Sequence, residues 1–229
     1  MTPNQIEKHI WLYENVLTKK ECEAFIDKYE QTLAFKKGHA LFREKVEEME
    51  IPTYDPSDVD YDDITYQLWS DVDEFIYKFS EKVLHLYFEN YMLATYEYEY
   101  CGCKMLYYPP FSYSPTHYDD ELVASDGSPV GVARPITLVV FLNEDFEAGD
   151  LIFPDQNVAI KPKQGAIAVF PASYMYPHTT TPTCGRARYV LLPFYRKAGL
   201  NAKIAHHNKT VEGNKAMLRD YRKLFSSLD

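Results

Sequence analysis

Short apolar runs, each ended by turn residues, fill the second half of this chain and limit the folds open to it. The run Thr137–Leu142 predicts a strand that is buried on both faces. Gly149 and Gly165 each precede a further run. The later runs are Leu151–Phe153, Val158–Ile160, Ala166–Phe170 and Arg188–Phe194. Short strands with turn signals at this spacing favour a β-sandwich or a barrel.

The residues before about position 92 show a helical period instead. Ile10–Tyr13 predicts a short strand, and Thr18 with Glu21 forms a capping box that begins a helix. Between Ile64 and Tyr91 apolar residues recur every three or four positions, which predicts the longest helix of the chain. Its apolar stripe consists of Leu68, Val72, Phe75, Ile76, Phe79, Val83, Leu84 and Tyr87.

Two segments carry weaker signals. Residues 35–63 have no clean period, are rich in acidic side chains, and contain Pro52 and Pro56. We interpret this segment as a solvated loop. The alternative is a flap over an active site, because long loops in compact domains are often functional. Val211–Leu228 shows a modest helical pattern.

Together these patterns predict one α+β domain over residues 1–229, with a core that is mainly β. Residues 1–92 form a helical flank with the acidic loop, and residues 199–229 form a C-terminal helical tail. The β core covers residues 93–198. It opens with Tyr96, Tyr98 and Tyr100, which alternate with glutamates as in a half-buried strand.

Charge and composition exclude several classes of function. The net charge is −10, and no basic stripe offers a surface for nucleic acid or for anionic lipid. Acidic proteins can instead attract a basic peptide. The four cysteines show no disulfide framework or zinc-type spacing. No signal peptide and no transmembrane run are visible, so we expect a reduced, cytoplasmic protein that does not contact a membrane.

A candidate metal site begins at His117-Tyr118-Asp119. Residues i and i+2 of a strand project from the same face, so both side chains can reach one ion. His178 follows the Ala166–Phe170 strand after a short loop and can supply a third ligand. Two imidazoles and one carboxylate can bind one face of iron(II) and leave the opposite positions open. A lone His-x-Asp occurs often by chance, so the surrounding strands carry the weight of this prediction.

From Tyr107 to about Tyr195 the chain resembles the prolyl 4-hydroxylase-like branch of the 2-oxoglutarate- and iron(II)-dependent dioxygenases. The two histidines are 61 residues apart, an interval that fits this family. The matching text is Tyr107-Tyr108, His117-x-Asp119, Arg134-x-x-Thr137, Phe141-Leu142-Asn143, Gly149-Asp150-Leu151-x-Phe153, Pro162-x-x-Gly165-x-x-x-Val169-Phe170, His178 and Gly185-x-x-Arg188-Tyr189. Two departures stand out: Ala148-Gly149 replaces a paired glycine, and Phe194 replaces a common tryptophan.

The resemblance implies a double-stranded β-helix, also called a jelly roll, and a set of site residues. His117, Asp119 and His178 would be the catalytic residues that hold Fe(II). The other implied residues bind the co-substrate 2-oxoglutarate, which would chelate the metal through its C1 carboxylate and C2 ketone. Its C5 carboxylate would pair with Arg188, with Tyr108 as a further donor and Thr137 as a weaker candidate. Ascorbate would serve as reductant.

Alternatives remain for two of these positions. Arg186 has the same strand parity as Arg188, so parity does not separate them; Arg188 is chosen because it precedes Tyr189 as in the family motif. Tyr107 is the close alternative to Tyr108.

The implied reaction is hydroxylation of an unactivated C–H bond by O2 and 2-oxoglutarate, with release of succinate and CO2. The leading substrate is a peptidyl side chain such as proline. A free amino acid or another small molecule is the second enzymatic interpretation. A catalytically inactive binding module of the same fold is the alternative from another class. The charge of −10 disfavours a nucleic-acid substrate.

Overall fold

The computed structural model describes residues 1–37, 47–51, 69, 72–91, 98–120 and 134–197. The helices are α1 (Lys19–Lys37) and α2 (Asp73–Glu89). The strands are β1 (Thr2–Glu7), β2 (Ile10–Glu14), β3 (Glu47–Ile51), β4 (Tyr98–Tyr108), β5 (Ile136–Phe141), β6 (Glu147–Ala148), β7 (Leu151–Phe153), β8 (Val158–Ile160), β9 (Ile167–Pro171), β10 (Thr179–Thr180), β11 (Thr183–Cys184) and β12 (Arg188–Lys197). The tail helix predicted over Val211–Leu228 lies outside the described residues, as does the acidic stretch 52–63.

The core is an antiparallel seven-stranded sheet in the order β1-β2-β9-β5-β12-β4-β3. A second sheet has three short strands, β10-β7-β8, and β11 pairs with β6. Strand β5 lies near the centre of the large sheet, between β9 and β12. Val140 and Phe141 are both buried there, as the continuous apolar run predicts.

Side chains on the large sheet alternate between two faces, as a strand's period of two requires. One face packs on α1 and α2, and we call it the helix face; Met105, Val140 and Leu191 belong to it. The other face packs on β7 and β8, and we call it the pocket face; Leu106 and Val190 belong to it. Two antiparallel sheets packed in this way form a double-stranded β-helix core, which confirms the predicted fold class.

The capping box at the start of α1 is confirmed. Thr18 N–H donates to the Glu21 carboxylate at 2.7 Å, and Glu21 N–H donates to Thr18 Oγ1 at 3.3 Å. The chain before the helix is held by Gly165, whose carbonyl accepts from the backbone N–H groups of Val16 and Leu17. Gly165 has a φ of +77°, and a Cβ there would lie 2.2 Å from the Leu17 carbonyl oxygen. Glycine is therefore required at this turn.

In the N-terminal flank the strand predicted at Ile10–Tyr13 is confirmed as β2, whereas β1 and β3 were not predicted. Strands β1 and β2 extend the large sheet beyond β9, and β3 pairs with β4 at the opposite edge. The predicted loop over 35–63 thus contains a strand at Glu47–Ile51. An edge strand is held by backbone hydrogen bonds on one side and does not need a regular apolar pattern. Within the described residues, no helix is long and apolar enough to cross a membrane.

Candidate metal centre and co-substrate pocket

Main-chain hydrogen bonds bring together two segments that are distant in sequence and carry the predicted metal ligands. His117 and His178 form an isolated antiparallel bridge. His117 N–H donates to the His178 carbonyl at 3.0 Å, and His178 N–H donates to the His117 carbonyl at 2.8 Å. Asp119 N–H then donates to the carbonyl of Ala172 at 3.1 Å. The two segments that carry the predicted ligands are therefore held side by side by their backbones.

The three predicted ligands form one cluster. One ligand atom from each of His117, Asp119 and His178 lies within 4.8 Å of the other two. The two Asp119 carboxylate oxygens lie 3.4 Å from His117 Nε2 and 3.5 Å from His178 Nε2. His178 is almost fully buried, whereas His117 and Asp119 are partly exposed. Two imidazole nitrogens and one carboxylate at this separation match a facial site for iron(II).

Backbone carbonyls orient both imidazole rings. His117 Nδ1 lies 2.7 Å from the carbonyl oxygen of Pro115, and His178 Nδ1 lies 3.2 Å from that of Tyr176. A carbonyl oxygen can only accept, so each Nδ1 carries a hydrogen. This contact leaves Nε2 of each ring as the nitrogen on the side of Asp119. This is how outer partners normally prepare metal-binding histidines.

Thr137 positions the carboxylate ligand. Its hydroxyl donates to Asp119 Oδ2 at 2.5 Å. Burial alone would raise the pKa of Asp119, but hydrogen bonds from His117 and Thr137 and the electrostatic interaction with His178 lower it below its ordinary value. Burial lowers the pKa of His178. The shifts favour an anionic Asp119 carboxylate beside a neutral His178 ring, the protonation states that bind metal.

A narrow cavity of about 50 Å³ extends inward from the cluster. Its wall is apolar and consists of Val139, Phe141, Leu151, Val190 and Leu192. Its polar lining consists of Tyr108, Ser114, Thr137, Thr180 and Arg188 together with the three ligands. Typical sites for a whole small-molecule substrate are several times larger.

Arg188 lies at the inner end of this lining and is only 2% exposed. Its Nη1 donates to the Gly149 carbonyl and its Nη2 donates to Thr180 Oγ1, both at 3.1 Å. The guanidinium carbon lies 3.9 Å from the centre of the Tyr108 ring. The buried Nε has no hydrogen-bond partner, and no acidic side chain of the described residues pairs with the group.

Burial lowers the pKa of Arg188, and Tyr108 opposes that shift. An arginine stays protonated in proteins, so this buried cation requires an anion that the described residues do not supply. The distal carboxylate of 2-oxoglutarate fits that need in charge and in geometry.

The structure separates the paired alternatives. Arg186 precedes β12, its side chain is 73% exposed, and it pairs with Asp145 at 2.6 Å. Tyr107 lies on the helix face, where its ring contacts Tyr189. Arg188 and Tyr108 both line the pocket.

The two departures from the family pattern also have structural correlates. Ala148 adopts a φ of +57°, a conformation that suits glycine and costs alanine about 1–2 kcal/mol. Phe194 does not line the cavity; instead the guanidinium of Arg134 lies 3.9 Å from the centre of its ring.

Some contacts of the site are not evident in the sequence. Thr180 reaches Arg188, but it stands in a run of three threonines with no pattern to distinguish it. The carbonyls of Pro115, Tyr176 and Gly149 are backbone groups, which residue identity does not reveal.

A facial cluster of potential metal ligands lies beside a buried arginine that has no acidic partner among the described residues, and this combination fits a metal-dependent oxygenase with an anionic co-substrate. Residues 103–196 match the sequence model of the 2OG-Fe(II) oxygenase superfamily. That segment contains the three ligands, Arg188, Tyr108 and Thr137. The match supports an enzyme of the 2OG-Fe(II) oxygenase class, as the sequence resemblance predicts.

Solved structures show the same fold at low sequence identity. The viral collagen prolyl hydroxylase of Paramecium bursaria Chlorella virus-1, in its 2OG complex, is 19% identical with a TM-score of 0.58; the match covers 84% of this chain and 97% of that one. A prolyl-4-hydroxylase of Pseudomonas putida is also 19% identical with a TM-score of 0.54, over 84% of this chain and 95% of the other. No curated protein sequence matches this chain.

Proposed function

We propose that this protein hydroxylates an unactivated C–H bond of a peptidyl side chain, with proline as the leading candidate. The observation that supports it most is the shared pocket, in which the His117–Asp119–His178 cluster faces the same cavity as the unpaired cation of Arg188. Neither group alone would indicate a co-substrate with a chelating end and an anionic end.

The proposed roles follow from the contacts. His117, Asp119 and His178 hold Fe(II), and Thr137 orients Asp119. Arg188 binds the C5 carboxylate of 2-oxoglutarate, with the Tyr108 hydroxyl as a further donor. When bound, iron and co-substrate supply the oxidation: one atom of O2 enters succinate as CO2 leaves, and the other becomes the hydroxyl of the product. The apolar wall around Val139 and Leu151 excludes water from this step.

The substrate is proposed to lie outside the narrow cavity, because the polar groups inside it are assigned to the metal and the co-substrate. The two ligand segments carry most of the exposed large apolar side chains of the described residues: Phe111, Tyr113, Tyr118, Tyr174 and Met175. The His117–His178 bridge joins these segments, so the exposed side chains border the metal cluster.

Extended, proline-rich peptides dock on aromatic surfaces of this kind. The prolyl hydroxylases that share the fold agree with a peptide substrate. The net charge of −10 favours a basic peptide. Ascorbate as reductant and a cytoplasmic location stay predictions from the sequence.

The test compares succinate release from 2-oxoglutarate, with iron, in the presence of proline-containing peptides or of free amino acids. Stimulation by peptides alone supports the proposal, and stimulation by a free amino acid alone replaces it with the small-molecule alternative. No turnover with any substrate would indicate a binding module.

A second measurement tests the aromatic border of the site. Tyr174→Ala and Met175→Ala should raise KM for the peptide several-fold and leave peptide-independent turnover unchanged. Phe75→Ala is the matched control, because Phe75 is an exposed aromatic residue on α2. An unchanged KM in both border variants would show that the peptide binds elsewhere.

A further inference from the structure

Thr180 connects the two halves of the site. Its side chain is 9% exposed and lines the cavity two residues after the ligand His178. Its hydroxyl oxygen accepts from the backbone N–H of Ser114 at 2.8 Å and from Arg188 Nη2 at 3.1 Å. Ser114 begins the short segment that leads to His117. One hydroxyl therefore joins the metal-ligand segment to the buried cation.

The hydrogen of this hydroxyl has no acceptor among the described residues. A threonine hydroxyl offers two acceptor lone pairs and one donor hydrogen. Ser114 and Arg188 already donate to the oxygen, so both lone pairs are used. The remaining O–H is a donor on a side chain that lines the cavity beside Arg188.

Arg188 provides a second donor without a partner beside it. Its Nε is buried and makes no hydrogen bond to any described residue. Two such donors on neighbouring groups match the two oxygens of one carboxylate. A polar group that is buried without a partner costs about 1–3 kcal/mol, which favours a ligand that accepts from both.

We propose that Thr180 Oγ1–H and Arg188 Nε–H together bind the C5 carboxylate of 2-oxoglutarate. This inference rests on the proposed function, and it adds Thr180 to the residues that contact the co-substrate. In addition, Thr180 holds the guanidinium in place through Nη2. Binding of the distal carboxylate is thereby coupled to the segment that positions His117.

Equilibrium binding to the Mn(II)-loaded protein tests the inference without turnover. The ligands are 2-oxoglutarate and 2-oxobutyrate, which keeps the 2-oxo acid group and lacks the distal carboxylate. Thr180→Val removes the hydroxyl at constant shape, and Thr180→Ser retains it. Thr183→Val is the matched control, because Thr183 is fully buried nearby and its hydroxyl has no hydrogen-bond partner.

Thr180→Val should weaken 2-oxoglutarate binding about 10- to 100-fold, the range expected for a lost hydrogen bond to a charged group. Its effect on 2-oxobutyrate should be less than about three-fold. Thr180→Ser should restore most of the 2-oxoglutarate affinity, and Thr183→Val should match the wild type. Manganese affinity and the melting temperature of each variant show whether the site stays intact.

Two results would overturn the inference. Equal weakening of both ligands by Thr180→Val would show that the hydroxyl only supports the backbone. Unchanged 2-oxoglutarate binding would show that it makes no contact. A wild-type protein that binds neither ligand would instead contradict the proposed function, so the two failures are distinguishable.

Discussion

The two faces of the large sheet are built from alternate residues of the same strands, yet they differ in chemistry. On the helix face, the rings of Tyr29, Tyr107 and Tyr189 contact one another under α1. On the pocket face, one residue further along β4, Tyr108 lies against the guanidinium of Arg188. The helix face is closed by two long helices, whereas the pocket face is covered by three short strands.

The difference separates stability from function. A face covered along its whole length can bury apolar groups with few polar ones, and its burial stabilises the fold. The pocket face is covered incompletely, so a cavity remains. The buried polar residues His178, Thr180 and Arg188 line this cavity, where they can bind a ligand. Buried polar groups reduce stability unless they are paired. Substitutions on the pocket face should therefore reduce binding and leave stability nearly unchanged, whereas substitutions on the helix face should reduce stability and leave binding nearly unchanged.

The largest effect is expected from a metal ligand on the pocket side. His178→Ala should lower iron affinity by more than about a hundredfold, because loss of even an outer partner costs 10- to 100-fold. Iron-dependent succinate release should fall to background, and the unfolding midpoint of the metal-free protein should change little. The control is His85→Ala, since His85 is exposed on α2. Equal turnover by the wild type and His178→Ala would reject the assigned cluster.

A core substitution on the helix side should produce the reverse. Ile76→Ala removes a fully buried side chain of α2 and should lower the free energy of unfolding by about 2–5 kcal/mol. Iron affinity of the folded fraction should be unchanged. Urea denaturation measures the first quantity and metal titration the second. Lys78→Ala, an exposed change on the same helix, should stay within about 0.5 kcal/mol. A loss of iron affinity in Ile76→Ala would show that the two faces are coupled.

Arg186 and Arg188, two residues apart near the start of β12, allow the pocket and the exposed surface to be compared within one segment. Arg188→Met should weaken 2-oxoglutarate binding to the Mn(II)-loaded protein about a hundredfold, because charge-assisted hydrogen bonds from a buried cation are lost. Arg186→Met should leave that affinity unchanged, since Arg186 is exposed and bound to Asp145. Comparable losses in both variants would contradict the placement of Arg188 alone in the pocket.

The smallest effect is expected from Asp145, which lies on the surface near Arg186. Burial raises its pKa, but the hydrogen bonds from Asn143 and Arg186 outweigh that and hold it below its ordinary value. The carboxylate therefore contributes stability above the unfolded pKa of about 3.9, and the contribution disappears as the pH falls through the folded value.

Because Asp145 is half exposed, Asp145→Asn should cost less than about 1 kcal/mol at pH 7. Urea unfolding of wild type and variant should show this difference shrinking toward pH 3. A difference that grows on acidification would reverse the assigned sign.

Local signals in the chain predict local structure well. The Thr18–Glu21 capping box begins α1, and the apolar stripe ending at Tyr87 predicts α2, described at Asp73–Glu89. The continuous run at Thr137–Leu142 predicts the central strand. Each of these depends on neighbours within a few residues, so propensity and period are sufficient. Strand β3 is not predicted, because its position depends on pairing with β4 across more than fifty residues.

At the site, the chain by itself determines which groups are present: two imidazoles, a carboxylate, an arginine and several hydroxyls in an order typical of iron(II) oxygenases. The tertiary structure decides which of them meet. The register of β4 against β12 places Tyr108 and Arg188 on the pocket face, and Tyr107 on the helix face. The bridge between His117 and His178 assembles the cluster. Thr137 then hydrogen-bonds to Asp119, and Arg188 hydrogen-bonds to Thr180. Which side chains meet in the site depends on the register between strands that are distant in sequence. A shift of one residue in that register would turn each side chain to the opposite face of the sheet, and residue identity alone does not reveal the register.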